Sequence, residues 1–185
     1  MNKIIAIVGM PGAGKSEASN FFASNGFEKI YFGSVIVDGL SEEGLERNAQ
    51  NEQIYRKKIR DELGMSAVVI KLLPKIKKAK AENKDIVLDG LYSWEEYVYL
   101  EKELPDLILL CVYARPSIRY QRLSERKERA FTIEEARKRD IDELVNTNKG
   151  GPIAIADYLI KNEVTLEKFT QELHYFLDSL QNDRL

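Results

Sequence analysis

Short unbroken apolar blocks alternate with polar, helix-spaced stretches along the 185 residues of the chain. The blocks "KIIAIV" (3–8), "EKIYF" (28–32), "DIVLDG" (85–90), "DLILLCVY" (106–113) and "ADYLIKN" (156–162) read as strands. Between and after them, residues 15–24, 49–63, 65–82, 93–104, 116–128, 133–147 and 165–181 read as helices, with Gly64 ending one and Ser93 capping another. Pro74 predicts a kink or a restart within 65–82. Residues 41–50 read as loop and 148–152 as a turn. The strand blocks are apolar throughout rather than alternating, the pattern of strands covered on both faces. Strands of that kind, separated by helices, predict an α/β domain built on a parallel sheet.

The first strand runs directly into "GMPGAGKS", residues 9–16. Gly9, four residues, then Gly14, Lys15 and Ser16 have the Walker A spacing, between a strand and a helix as that motif requires. Glycines let the backbone curl so that several N–H groups converge on one anion, and the following helix adds its positive end. The nucleotide-binding set is therefore Gly9, Gly12, Ala13, Gly14, Lys15, Ser16 and Glu17. Lys15 is the residue to reach the terminal phosphates of ATP, and the Ser16 hydroxyl the one to ligate Mg²⁺. A carboxylate is needed beside that metal. Asp89 ends the third strand block and is the candidate, although an Asp-Gly pair also reads as a plain turn.

Arg115, Arg119, Arg122 and Arg126 recur at intervals of four, three and four, which places them on one helix face. Arg129, Arg137 and Arg139 follow. Glu125, Glu128, Glu134 and Glu135 lie among them, so the same stripe also reads as a solvated, ion-paired surface. Phosphoryl transfer gives it a sharper meaning, because arginines closing over the transferred group stabilise its charge and exclude water. On that reading Lys15 and Asp89 act together with arginines of this stripe.

"IIAIVGMPGAGKS", "IVLDG", "RLSER", "KRDIDE" and "IADYLIKNE" occur in that order. Together they resemble the P-loop nucleotide kinases of the adenylate kinase and dephospho-CoA kinase group and their nucleotide-kinase-like bacterial and archaeal relatives, over nearly the whole chain. The resemblance implies a three-layer α/β/α fold with a five-stranded parallel sheet. It also implies a helical acceptor-binding insert, about 34–82, and a short lid, about 127–133. It further implies that Arg122 lies against the adenine ring, that Arg126 touches phosphate and that Arg139 joins at the γ-phosphate.

The chain departs from that pattern where an acceptor would bind. After the second strand it reads "FGSVIVDG", with Ser34 where such kinases carry an aspartate and Val37 near the place of an arginine. "DGLYS" stands where "DGFPR" would, so a second arginine is missing. Ser34, Asp38, Arg56, Arg60 and Tyr92 are the remaining acceptor candidates. Arg56 and Arg60 share a helix face and read equally as exposed charge. Whether the acceptor offers a phosphate or a hydroxyl stays open, and so does a nucleotide-binding regulator or ATPase with no acceptor at all.

Composition narrows the remaining classes. The chain is 44% hydrophobic, enough for a core, and its formal charge of −2 provides no global field for nucleic acid. No apolar run approaches the roughly 20 residues that span a bilayer. Cys111 is the single cysteine and sits in an apolar strand block, so it reads as a buried hydrophobe. A cytoplasmic protein is expected, with a small nucleotide-like molecule as partner and its oligomeric state open. "NTNKGG" resembles a guanine-reading Asn-Lys-x-Asp motif, but Gly151 replaces the aspartate, which argues against a GTPase.

Overall fold

A computed structural model describes residues 2–127 and 130–181. The element order is β1 (Ile4–Val8), α1 (Lys15–Ser24), β2 (Glu28–Tyr31), α2 (Ser34–Glu42), α3 (Ala49–Leu63), α4 (Ala67–Ala81), β3 (Ile86–Asp89), α5 (Trp94–Glu103), β4 (Leu107–Tyr113), α6 (Pro116–Ser124), α7 (Ile133–Thr147), α8 (Gly150–Ala154), β5 (Tyr158–Lys161) and α9 (Leu166–Gln181). The five strands form one parallel sheet in the order β2-β3-β1-β4-β5.

The unbroken apolar strands are explained by two cores. Ile4, Ala6 and Val8 of β1 face one core, shared with α2, α3, α4 and α5, while Ile5 and Ile7 face the other, shared with α1 and α9. Strands β3 and β4 divide their residues in the same way. Each fully buried aliphatic side chain contributes roughly 1.5–3 kcal/mol. That holds β1 at the centre of the sheet and fixes the glycine loop at its carboxyl end, where parallel α/β sheets bind ligands. Register then brings in the carboxylate: Asp89 lies opposite Ile7 on one side and Tyr31 on the other.

Three local expectations are revised. Residues 34–42 are helical, because Val35, Ile36 and Leu40 are buried at helical spacing against the first core. Helix α4 runs through Pro74 without a restart. Burial of Val69, Leu72, Ile76 and Ala79 along one face offsets the hydrogen bond that proline removes. The expected turn at 148–152 is left-handed at Asn148 and then becomes α8, with Pro152 in its first turn where a missing N–H is harmless. Cys111 is buried, and burial pushes its thiol up to about 11, which leaves it unreactive. No helix among the described residues is long and apolar enough to cross a membrane.

Candidate active site

The glycine loop is shaped by its neighbours. Gly9 (φ +143°) packs directly on the Val112 carbonyl, and Gly14 (φ +105°) on the Asn162 amide, so neither position admits a side chain. Asn162, buried after β5, donates from Nδ2 to the Ala13 carbonyl (2.9 Å) and accepts at Oδ1 from Arg122 (3.2 Å). Arg122 also reaches toward the Gly12 carbonyl (3.5 Å). Arg119 is buried and fully engaged. It donates to the carbonyls of Ala114 and Pro11 (3.0 Å each) and grips Asp140 through two N–H groups at 2.9 and 2.6 Å. This guanidinium joins the end of β4, the glycine loop and α7.

A cavity of about 500 Å³ opens over the loop, and Gly12, Gly14, Lys15, Ser16, Glu17 and Asp89 line it. The Lys15 ammonium folds back onto the carbonyls of Gly9 (2.8 Å) and Met10 (3.2 Å). Burial, and then the charge of Lys149, lower its pKa to about 7. Ser16 sits exposed in the first turn of α1. Asp89 is buried, accepts from the Ser19 hydroxyl (2.8 Å) and pairs with Lys29 (3.0 Å). Both contacts fall on Oδ2, leaving Oδ1 without a partner among the described residues. Ser16 and Asp89 offer hard oxygen donors on the cavity wall. The described residues hold no cluster of three or more His, Cys, Asp or Glu suited to a metal. That donor set fits Mg²⁺, which takes one or two protein oxygens and fills its shell with phosphate and water.

The arginine stripe divides by role. Arg115 is tied to Glu163 and Arg119 to Asp140, whereas Arg122, Arg126 and Arg139 line the cavity. Partial burial and then the like charge of Arg139 hold the Arg126 guanidinium below its ordinary range. Arg139 donates to Glu143 (3.0 Å) and lies over the Phe131 ring at 5.3 Å. Glu143 also pairs with the buried Lys149, whose ammonium stands 4.7 Å above the Tyr92 ring. Burial opposes the charged carboxylate, yet Lys149 and Arg139 together hold Glu143 below its usual range. Glu128 and Arg129, within the expected lid, lie outside the described residues.

A second cavity of about 480 Å³ adjoins the first and shares Tyr31, Tyr92, Arg139 and Glu143 with it. Gly33 and Ile36 of the α2 region and Glu52, Arg56 and Arg60 of α3 line its far side. Glu52 holds Arg47 (3.2 Å) and Arg56 (2.8 Å), whereas the Arg60 guanidinium makes no hydrogen bond or close ion pair among the described residues and acts on Glu96 through its charge alone. Glu96 accepts from the backbone N–H groups of Tyr92 (2.8 Å) and Ser93 (3.3 Å), and burial raises its carboxyl to about 7. Burial likewise pushes the Tyr92 phenol up to about 12, so it stays a neutral donor.

The structure therefore gathers Gly12, Gly14, Lys15, Ser16, Glu17, Asp89, Arg122, Arg126, Arg139 and Tyr92 around the first cavity, and Arg56 and Arg60 around the second. Gly9 and Ala13 act from behind, through their carbonyls. Ser34 and Asp38 line neither cavity: α2 turns Gly33 and Ile36 inward, and Asp38 faces solvent. Sequence reasoning missed Lys149, Glu143, Glu52 and Glu96. Glu143 and Glu52 belong to no motif, Glu96 closes the capping box that Ser93 begins, and Lys149 stands in "NTNKGG", whose Gly151 argues against a guanine-reading role. Asn162 lay in a stretch already noted, "IKNE".

Comparison with known proteins agrees with this geometry. Residues 5–144 match a family model described as an AAA domain, AAA_18. The UPF0200 protein of Pyrococcus abyssi is 32% identical over 178 residues, covering 94% of this chain and 95% of the relative. That of Methanosarcina barkeri is 36% identical over 174 residues, covering 92% of each. Among solved structures, dephospho-CoA kinase from Campylobacter jejuni superposes with a TM-score of 0.68 at 17% identity over 100% of both chains. A gluconokinase from Sinorhizobium meliloti gives 0.57 at 14%, covering 98% of this chain and 94% of the other. At such identities the likeness shows the fold, an all-parallel five-stranded α/β domain of the P-loop kinase type. On the family match and on relatives alike along nearly their whole length, the chain belongs to the AAA_18 AAA-domain family and to the UPF0200 proteins.

Proposed function

We propose that this protein is an ATP- and Mg²⁺-dependent phosphotransferase acting on a small nucleotide-like acceptor, of nucleoside monophosphate or dephospho-CoA type. One observation carries the reading: a cavity over a Walker A loop meets a second cavity at Tyr31, Tyr92, Arg139 and Glu143. ATP would occupy the first, with its phosphates against the loop amides, Lys15 and the α1 N-terminus. The acceptor would enter from the second, so that its nucleophilic oxygen and the γ-phosphorus meet at that junction. The bond from phosphorus to the acceptor oxygen forms as the bond to the oxygen bridging the β-phosphate breaks, ADP leaves, and an acceptor that reacts through a hydroxyl releases its proton to water. Lys15, Arg126 and Arg139 would stabilise charge spread over the transferring group. Ser16 and Asp89 would hold Mg²⁺, which when bound neutralises charge on the phosphate oxygens. The buried Cys111 thiol and the mixed surface charge support a cytoplasmic protein without nucleic-acid partners.

The test is ATP consumption screened against nucleoside monophosphates, nucleosides and dephospho-CoA. At least one should accelerate turnover, and Lys15→Ala should abolish it, a loss on the order of a thousandfold. Slow ATP hydrolysis indifferent to every acceptor would favour a nucleotide-binding regulator or ATPase instead.

A further inference from the structure

Lys149, the lysine of "NTNKGG", is among the largest fully buried side chains of the described residues. An ammonium has three donors, and a buried one is stable only when they are used. Here one hydrogen bond goes to Glu143 and the cation rests on the Tyr92 ring face. No other hydrogen bond from this ammonium is formed among the described residues. The remaining donors belong to a residue that lines the cavity over the glycine loop and does not line the adjoining cavity. A buried ion pair with spare donors gives little net stability. It is, however, a ready seat for an oxyanion.

The surroundings specify the anion. Lys15, Arg122, Arg126, Arg139 and Lys149 line this cavity against Glu17, Asp89 and Glu143, an excess of two positive charges once Lys15 is protonated, the form a bound phosphate favours. Mg²⁺-ATP carries about two negative charges, which matches. Lys149 also lies close enough to Lys15 for its charge to be the second cause of the lowered Lys15 pKa. The two ammonium groups therefore face a common region, with Lys15 held on the loop side and Lys149 on the Tyr92 side, toward the acceptor cavity.

We propose that Lys149, held by Glu143 over the Tyr92 ring, is a second lysine of the donor site that contacts the terminal phosphate of the bound triphosphate. The proposal rests on the donor-site reading above. In the free protein the Glu143 carboxylate partners Lys149 and Arg139 together. Phosphate oxygens arriving from the loop side would take the donors that Glu143 leaves unused. Lys149 would thus sense the γ-phosphate rather than the nucleotide as a whole.

The test is calorimetric titration of the full chain with Mg²⁺-ATP and with Mg²⁺-ADP. Lys149→Met should weaken ATP by about tenfold or more while ADP changes by less than about twofold. Because that variant leaves Glu143 short of a partner in the interior, the pair Lys149→Met with Glu143→Gln is compared with Glu143→Gln alone. The same selective loss of ATP is expected there. An unchanged ratio of ATP to ADP affinity in both comparisons, or equal loss of both nucleotides, would overturn the role of Lys149. Wild-type protein that binds neither nucleotide would instead overturn the donor-site reading on which the proposal stands.

Discussion

The two adjoining cavities differ in how their charges are spent. Around the first, cations exceed carboxylates by two, and several donors have no protein partner matched to them. Around the second, Arg56, Arg60 and Arg139 face Glu52, Glu96 and Glu143 in equal number. Two of those three arginines are already ion-paired. The first is thus built to receive a strongly charged ligand. The second holds one uncommitted guanidinium among tyrosines and carboxylates, where binding depends on shape and a few directed hydrogen bonds. Salt screens exposed charges more than buried ones. Both cavities open to solvent, so binding at the first, where ligand and lining carry the larger opposite charges, should weaken more with added salt than acceptor binding at the second.

The contrast can be broken at several points. After the loss expected for Lys15→Ala, the largest effect is expected at Asp89, which lines the first cavity with Ser16 and whose contacts with Ser19 and Lys29 both fall on Oδ2. Asp89→Asn should slow ATP turnover by about a hundredfold or more, with the protein still folded around the Ser19 contact. Turnover within a few-fold of wild type would remove Asp89 from the metal site. A smaller effect distinguishes the two α3 arginines. With the acceptor that the screen identifies, Arg60→Ala should raise KM by about tenfold, the worth of one charge-assisted hydrogen bond. Arg56→Ala should change it by less than about threefold, because Glu52 already occupies that side chain. Equal effects would mean that the Arg56–Glu52 pair opens on binding.

The same contrast explains what could be read without coordinates. The parallel sheet was legible because β1, β3 and β4 are apolar on both faces, a demand that only a three-layer architecture makes. The glycine loop was legible because its chemistry is local: backbone amides, one lysine and one hydroxyl within eight residues. Asp89 followed from its place at a strand end. The α2 helix had no local signal in "FGSVIVDG" beyond the helical insert that the resemblance implies, because it forms by burying Val35, Ile36 and Leu40 in the first core. The cavity roles of Lys149 and Glu143 depend on how α7 and α8 settle, a long-range outcome with no sequence period. The arginine stripe was legible only in part: α6 ends at Ser124, so Arg115 caps it and Arg126 lies beyond it, and Asp140 and Glu163, both distant in sequence, pair with Arg119 and Arg115.

Nucleotide binding by the glycine loop is the central claim, and calorimetric titration with Mg²⁺-ATP at two pH values tests it most directly. In the free protein burial and then the Lys149 charge lower the Lys15 pKa to about 7, whereas a bound polyphosphate favours its charged form. Binding should then take up a proton above pH 7, and affinity should fall as pH rises, by up to about tenfold per unit for one group. Saturable binding of one nucleotide per chain, with that proton uptake and its loss in Lys15→Ala, is the expected result. Folded protein that gives no heat with Mg²⁺-ATP, or that binds it equally well without the Lys15 ammonium, would contradict the account.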